Sequence, residues 1–149
     1  MNLIVAVDGS EPSDRALEYA IELTDATGGT VTAVHAVDPQ VYEQRASQPI
    51  TDPEAVDQQF ILEAVDDAEE RGERLLEQTA ESVGEEHDLD TELLYGDPVE
   101  SIAEYAANRD DVDGIVVGHR QLADSYERVL GSVAKGLVER GPVPVTVVR

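Results

Sequence analysis

The chain has 149 residues, 33 of them Asp or Glu against 10 Lys or Arg, and no cysteine, which gives a formal net charge of −23 at pH 7. That length suits one hydrophobic core and a single domain over residues 1–149, and the lack of cysteine excludes disulfides, thiolate metal sites and thiol nucleophiles. So acidic a surface repels nucleic acid and anionic membranes, no stretch is as long as a membrane span, and residues 1–2 lead straight into an apolar run, so a cytoplasmic protein without a leader is expected.

The apolar residues keep clear strand and helix periods, so the charge coats a folded surface and does not signal disorder. It fits adaptation to molar salt, where a Debye length of roughly 3 Å screens self-repulsion.

Residues 3–7 form a short apolar run closing on Asp8-Gly9-Ser10, and Ala16, Leu17, Ala20, Ile21 and Thr24 then recur at helical spacing. Gly28-Gly29 stops that helix, and residues 30–37 make a second strand closed by Asp38-Pro39. Residues 40–53, with Pro49 and Pro53, read as an exposed loop whose tip could cover a site. From residue 54 to about 82 the chain is helical, with Ile61, Val65, Ala68, Gly72, Leu75, Leu76, Thr79 and Val83 on one stripe. A glycine on that stripe signals close packing. Gly84 ends the helix and residues 90–95 form a third strand. Asp97 is an N-cap with Pro98 at the first helical position and Glu100 three residues after the cap, opening a helix to about residue 108. Residues 112–117 are the fourth strand, residues 133–140 the last helix, and residues 143–148, after Gly141-Pro142, the fifth strand.

Strands alternating with helices, and strands apolar nearly throughout, predict an α/β fold: a doubly wound, open, five-stranded parallel sheet of order 3-2-1-4-5. In such a sheet the binding crevice lies beyond the carboxyl ends of strands 1 and 4, where the winding reverses. Those ends carry Asp8 and Gly118.

Gly118 follows a buried strand, and Gly131-Ser132-Val133 open a helix, so backbone N–H groups there can approach an anion closely. This is not a Walker loop, because no lysine precedes Ser132. Each residue also has a plainer reading: Asp8 and Ser132 as helix caps, Gly118 and Gly131 as tight turns, His35 as a hydrogen-bonded core histidine. His87 and His119 have no metal-ligand cluster around them, and neither a paired-carboxylate site nor a nucleophile elbow is present.

The run Ile4-Val5-Ala6-Val7-Asp8-Gly9-Ser10, the strand Val34-His35-Ala36-Val37, the turn Gly96-Asp97-Pro98 and the end from Gly118 through Gly131-Ser132-Val133 to Pro144-Val145-Thr146-Val147-Val148 together resemble the universal stress protein family over essentially the whole chain. The resemblance implies an adenine nucleotide alpha hydrolase-like fold and ATP, with Mg²⁺, as a regulatory ligand. On matching positions it implies that Asp8 and Ala36 meet adenine and ribose, Val117 and Gly118 the nucleoside, and Gly131, Ser132 and Val133 the phosphates. Arg120 is expected to add positive charge. Where nucleotide-binding members have a second glycine this chain has Gln121, which either obstructs the loop or donates an amide N–H to the ligand. Two other readings therefore stay open: a nucleotide-free stress protein acting through protein partners, and a slow ATPase or autophosphorylating protein with Ser132 near the phosphates. The resemblance also implies a homodimer through the edge strand from Val143 to Val148.

Overall fold

A computed structural model of the chain describes residues 1–38, 58–119 and 131–149, with side chains from residue 65 onward in the middle segment. The expected loop at 40–53, the beginning of the second helix at residue 54, Ile61 of its stripe, and Arg120 and Gln121 lie outside what is described. Among the described residues nine elements follow in order: β1 (Asn2–Ala6), α1 (Glu11–Thr27), β2 (Thr30–Val37), α2 (Gln58–Val83), β3 (Leu89–Tyr95), α3 (Pro98–Ala107), β4 (Gly114–Gly118), α4 (Ser132–Arg140) and β5 (Val145–Val148). The strands form one sheet of order β3-β2-β1-β4-β5, all neighbours parallel, as the alternation predicts.

Strand periodicity sends successive side chains to opposite faces. Leu3, Val5, Val31, Ala33 and Val116 join Ala16, Leu17 and Ala20 of α1 and Leu76 of α2 in one core layer. Ile4, Val34, Ile115 and Val117 join Ile102 and Ala106 of α3 and Ala134 and Leu137 of α4 in the other. Both faces are covered, which is why the strands read as continuous apolar runs.

Gly72 shows how tightly α2 seats. A β-carbon there would lie 2.8 Å from Leu93 Cδ1 and 3.1 Å from His35 Cδ2, so the close packing read from the stripe is present. The helix ends behave as their residues dictate: Gly28 and Gly84 adopt φ of 72° and 81° after α1 and α2, and the Asp97 carboxylate accepts from Glu100 N at 3.0 Å ahead of α3.

Several strand boundaries differ from expectation, by a single residue at the start of β3, which is Leu89, and at the end of β4, which is Gly118, and more informatively elsewhere. Strand β1 runs from Asn2 to Ala6, although Val7 N still donates to Val34 O at 2.9 Å. Strand β4 begins at Gly114 and not at Val112, because Asp113 turns to Asn2: its N–H donates to Asn2 O at 2.8 Å and its carboxylate accepts from Asn2 N at 2.8 Å. Strand β5 begins at Val145 and not at Val143, since Pro142 and Pro144 have no N–H for the ladder, although the Pro144 carbonyl accepts from Ile115 N at 2.9 Å. The amino edge of the sheet is held further by Asn2 Nδ2 donating to Asp111 O at 3.1 Å and Asn2 Oδ1 accepting from Thr30 Oγ1 at 2.8 Å.

Candidate functional site

At the opposite, carboxyl edge, the end of β1 and the ends of β2 and β4 open into a cleft of about 680 Å³, counting its mouth. Asp8, Ala36, Val117, Gly118, Gly131, Ser132 and Val133 all line it, so the structure brings together every described residue named from the sequence.

The β1–α1 turn builds one wall. Gly9 takes φ of 80°, a left-handed conformation that suits glycine, and Ser10 caps α1 by accepting from Ser13 N at 3.4 Å. The buried Ser13 hydroxyl accepts from Asp8 N at 3.3 Å and donates to Ser10 O at 3.1 Å. Asp8 is not the cap. Its Oδ1 accepts from both Ser10 N, at 2.9 Å, and the Ser10 hydroxyl, which holds the carboxylate at the cleft rim.

Gly118 is not in a left-handed turn. A β-carbon on it would lie 2.3 Å from the Pro12 carbonyl oxygen and 2.4 Å from the Pro12 carbonyl carbon, so the glycine admits the first turn of α1 to the end of β4. This corrects the turn reading: the need for glycine comes from helix–strand contact. Gly131 is no left-handed turn either, with φ of −56° and ψ of 154°.

Among the described residues, three helices begin at this cleft. Ser10 caps α1 and Asp97 caps α3, whereas the N-cap of α4 is Gly131, which has no side chain to offer. Ser132 is the first residue of α4, not its cap. The first bond along this helix runs from Lys135 N to Gly131 O at 2.9 Å, so the N–H groups of residues 132–134 precede it and face the end where the dipole favours an anion. Much of the remaining lining is apolar, with Val34, Pro98, Ile102 and Ala134 among it, and Ser10, Ser13 and His35 are its polar members. Sequence reasoning did not name these residues for the site, although Pro98 and Ile102 stand one helical turn apart on a face that must meet the sheet.

His35 is hydrogen-bonded as expected, with Nδ1 donating to Val7 O at 2.8 Å, but it is half-buried. It shares the odd face of β2 with Val31 and Ala33, so its ring turns toward α2. His87 instead meets Asp25 Oδ1 at 3.0 Å on the surface. Among the described residues no group of three His, Asp or Glu side chains could hold a metal ion, and no helix is long and apolar enough to cross a membrane.

A doubly wound parallel sheet with a cleft at its winding reversal defines a class of open-sheet α/β proteins. Within it, the chain belongs to the universal stress protein family, whose model matches residues 1–149. It is 31% identical to the stress response protein NhaX of Bacillus subtilis, over 99% of this chain and 96% of that protein. Its fold matches the universal stress protein UspA from Lactobacillus plantarum with a TM-score of 0.77 at 24% identity, covering 100% of this chain and 97% of the other. A family member from Arabidopsis thaliana, solved with AMP bound, matches with a TM-score of 0.67 at 20% identity, covering 99% and 90%.

Proposed function

We propose that the protein is a stress-response protein that binds an adenine nucleotide, ATP with Mg²⁺, in this cleft as a regulatory ligand and not as an efficiently turned-over substrate. The observation that carries the proposal is the convergence of Asp8, Ala36, Val117 and Gly118 with the side-chain-free N-cap of α4 in one cleft. The donor chemistry fits the ligand. Backbone N–H groups at the start of α4 suit phosphate, the apolar wall of Val34, Ile102 and Val117 suits a base, and the Asp8 carboxylate suits ribose hydroxyls. Mg²⁺ would be held chiefly by the phosphates, as is usual for a cation that keeps most of its waters. The AMP in the Arabidopsis protein supports an adenine ligand for this fold. Arg120 and Gln121 complete the proposed set from outside the described residues.

Titration calorimetry with ATP and Mg²⁺ in molar KCl tests the proposal; no heat at millimolar ATP would sink it. Gly131→Val is expected to weaken binding at least about tenfold by crowding the phosphates. Because φ of −56° and ψ of 154° are open to valine, the only expected cost to stability is that of a poorer N-cap, about 1 kcal/mol, so a larger loss of binding reports on the site.

The proposed assembly is a cytoplasmic homodimer. Strand β5 ends the sheet order and carries Val145 and Val147 half-buried beside its open edge, with Val143 just ahead of it and Val138 of α4 51% exposed nearby in sequence. An apolar edge of this kind invites pairing, and the flanking prolines limit its length, which favours a closed two-fold pair. Light scattering in molar KCl should give a dimer, and Val145→Asp with Val147→Asp a monomer; a monomeric wild type refutes the assembly.

A further inference from the structure

Gly136 stands inside α4, where only proline is less favourable than glycine. Val99, in the first turn of α3, accounts for it. A β-carbon at position 136 would lie 2.5 Å from Val99 Cγ2, 3.0 Å from Val99 Cγ1 and 3.3 Å from Val99 Cβ. Carbon contacts are optimal at about 3.5–4.0 Å, so the helices are closer by about 1 Å than any side chain at 136 permits. Gly136 also stands one turn from Ser132 on the same stripe of α4, and Ser132 lines the cleft. Across the contact, Val99 lies between Pro98 and Ile102, which line the cleft from α3.

We propose that Gly136 and Val99 are a positioning pair that sets the width of the cleft, seating the first turn of α4 against α3 at the spacing the nucleotide phosphates require. This rests on the nucleotide reading above. A short helix moves nearly as a rigid rod, so a displacement at 136 reaches the N–H groups of residues 132–134, one turn away. The pair is complementary in size. A methyl group added at 136 pushes α4 off α3 unless Val99 gives up the methyl groups it meets.

The test takes four proteins, the wild type, Gly136→Ala, Val99→Ala and the double variant, through ATP titration, thermal melting and crystallography. Gly136→Ala should bind ATP about three- to tenfold more weakly, the factor for spoiling one backbone hydrogen bond, with the first turn of α4 displaced by about 1 Å. The double variant should recover both. Alanine is the better helix former, so affinity should fall without a matching loss of melting temperature, which a purely structural role would not produce. An unmoved α4, an unchanged affinity despite a moved α4, or a double variant that stays weak overturns the proposal. A wild type that binds no ATP overturns the nucleotide reading and the ligand side of this one; the displacement of α4 and its reversal by Val99→Ala still decide whether the pair sets the spacing.

Discussion

Gly118→Ala is expected to destabilise the protein by about 3 kcal/mol or more, at the upper end of what overpacking costs. The added methyl carbon would fall 2.3 Å from a carbonyl oxygen and 2.9 Å from Pro12 Cβ, and most of what it meets is backbone. Backbone cannot rotate aside as a side chain does. The first turn of α1 is tied down by the Ser10 cap and by the two hydrogen bonds of the buried Ser13 hydroxyl, so relief requires moving the whole helix start. At about 2–4 °C per kcal/mol for a chain of this length, the melting temperature should drop by roughly 6–12 °C. Thermal or urea unfolding reads it directly. An unchanged midpoint would show that α1 has room to retreat and that Gly118 is not needed for packing. The contrast with Gly131→Val separates two glycines that look alike in the sequence: one loss appears in stability, the other in ligand binding.

Salt should move stability nearly as far. Along α1, Asp14, Glu18 and Glu22 stand four residues apart, and along α2 Glu69, Glu73, Glu77 and Glu81 do the same. Like charges at that spacing destabilise a helix by about 0.2–0.5 kcal/mol per pair, so these five pairs cost about 1–2.5 kcal/mol at low ionic strength. The wider field of a net charge of −23 adds to this. Exposed ion pairs such as Arg15–Glu11 at 3.9 Å and Arg109–Asp111 at 3.8 Å return little. Molar KCl cuts the Debye length to about 3 Å and removes most of the repulsion. The melting temperature should therefore rise on the order of 10 °C from dilute buffer to molar KCl. A flat profile would contradict salt adaptation and leave the acidic surface to be explained by a partner.

The sheet order and the place of the cleft were legible because they follow from alternation and chirality, which are written along the chain. The Asp97 cap and the Gly28 and Gly84 stops were legible for the same reason, being local in sequence. What was not legible depends on contacts across the fold. The spacing from Gly118 to Gly131 suggested two glycines of one kind, but Pro12, more than a hundred residues away, decides why the first must be glycine. Val99 plays the same part for Gly136, a position that helix propensity alone would leave unexplained. The starts of β4 and β5 were misjudged because valines at 112 and 143 carry strand propensity, while Asp113 is drawn to Asn2 and the prolines at 142 and 144 have no N–H to give.

Asn2 occupies the rim of the sheet opposite the cleft and bonds to two other parts of the chain: the turn ahead of β4, through Asp111 and Asp113, and Thr30 at the start of β2. In mechanical terms Asn2 is a clamp: it fixes the starts of β1, β2 and β4 relative to one another, so the alignment that carries Asp8, Ala36 and Gly118 to the same edge is set at the opposite rim.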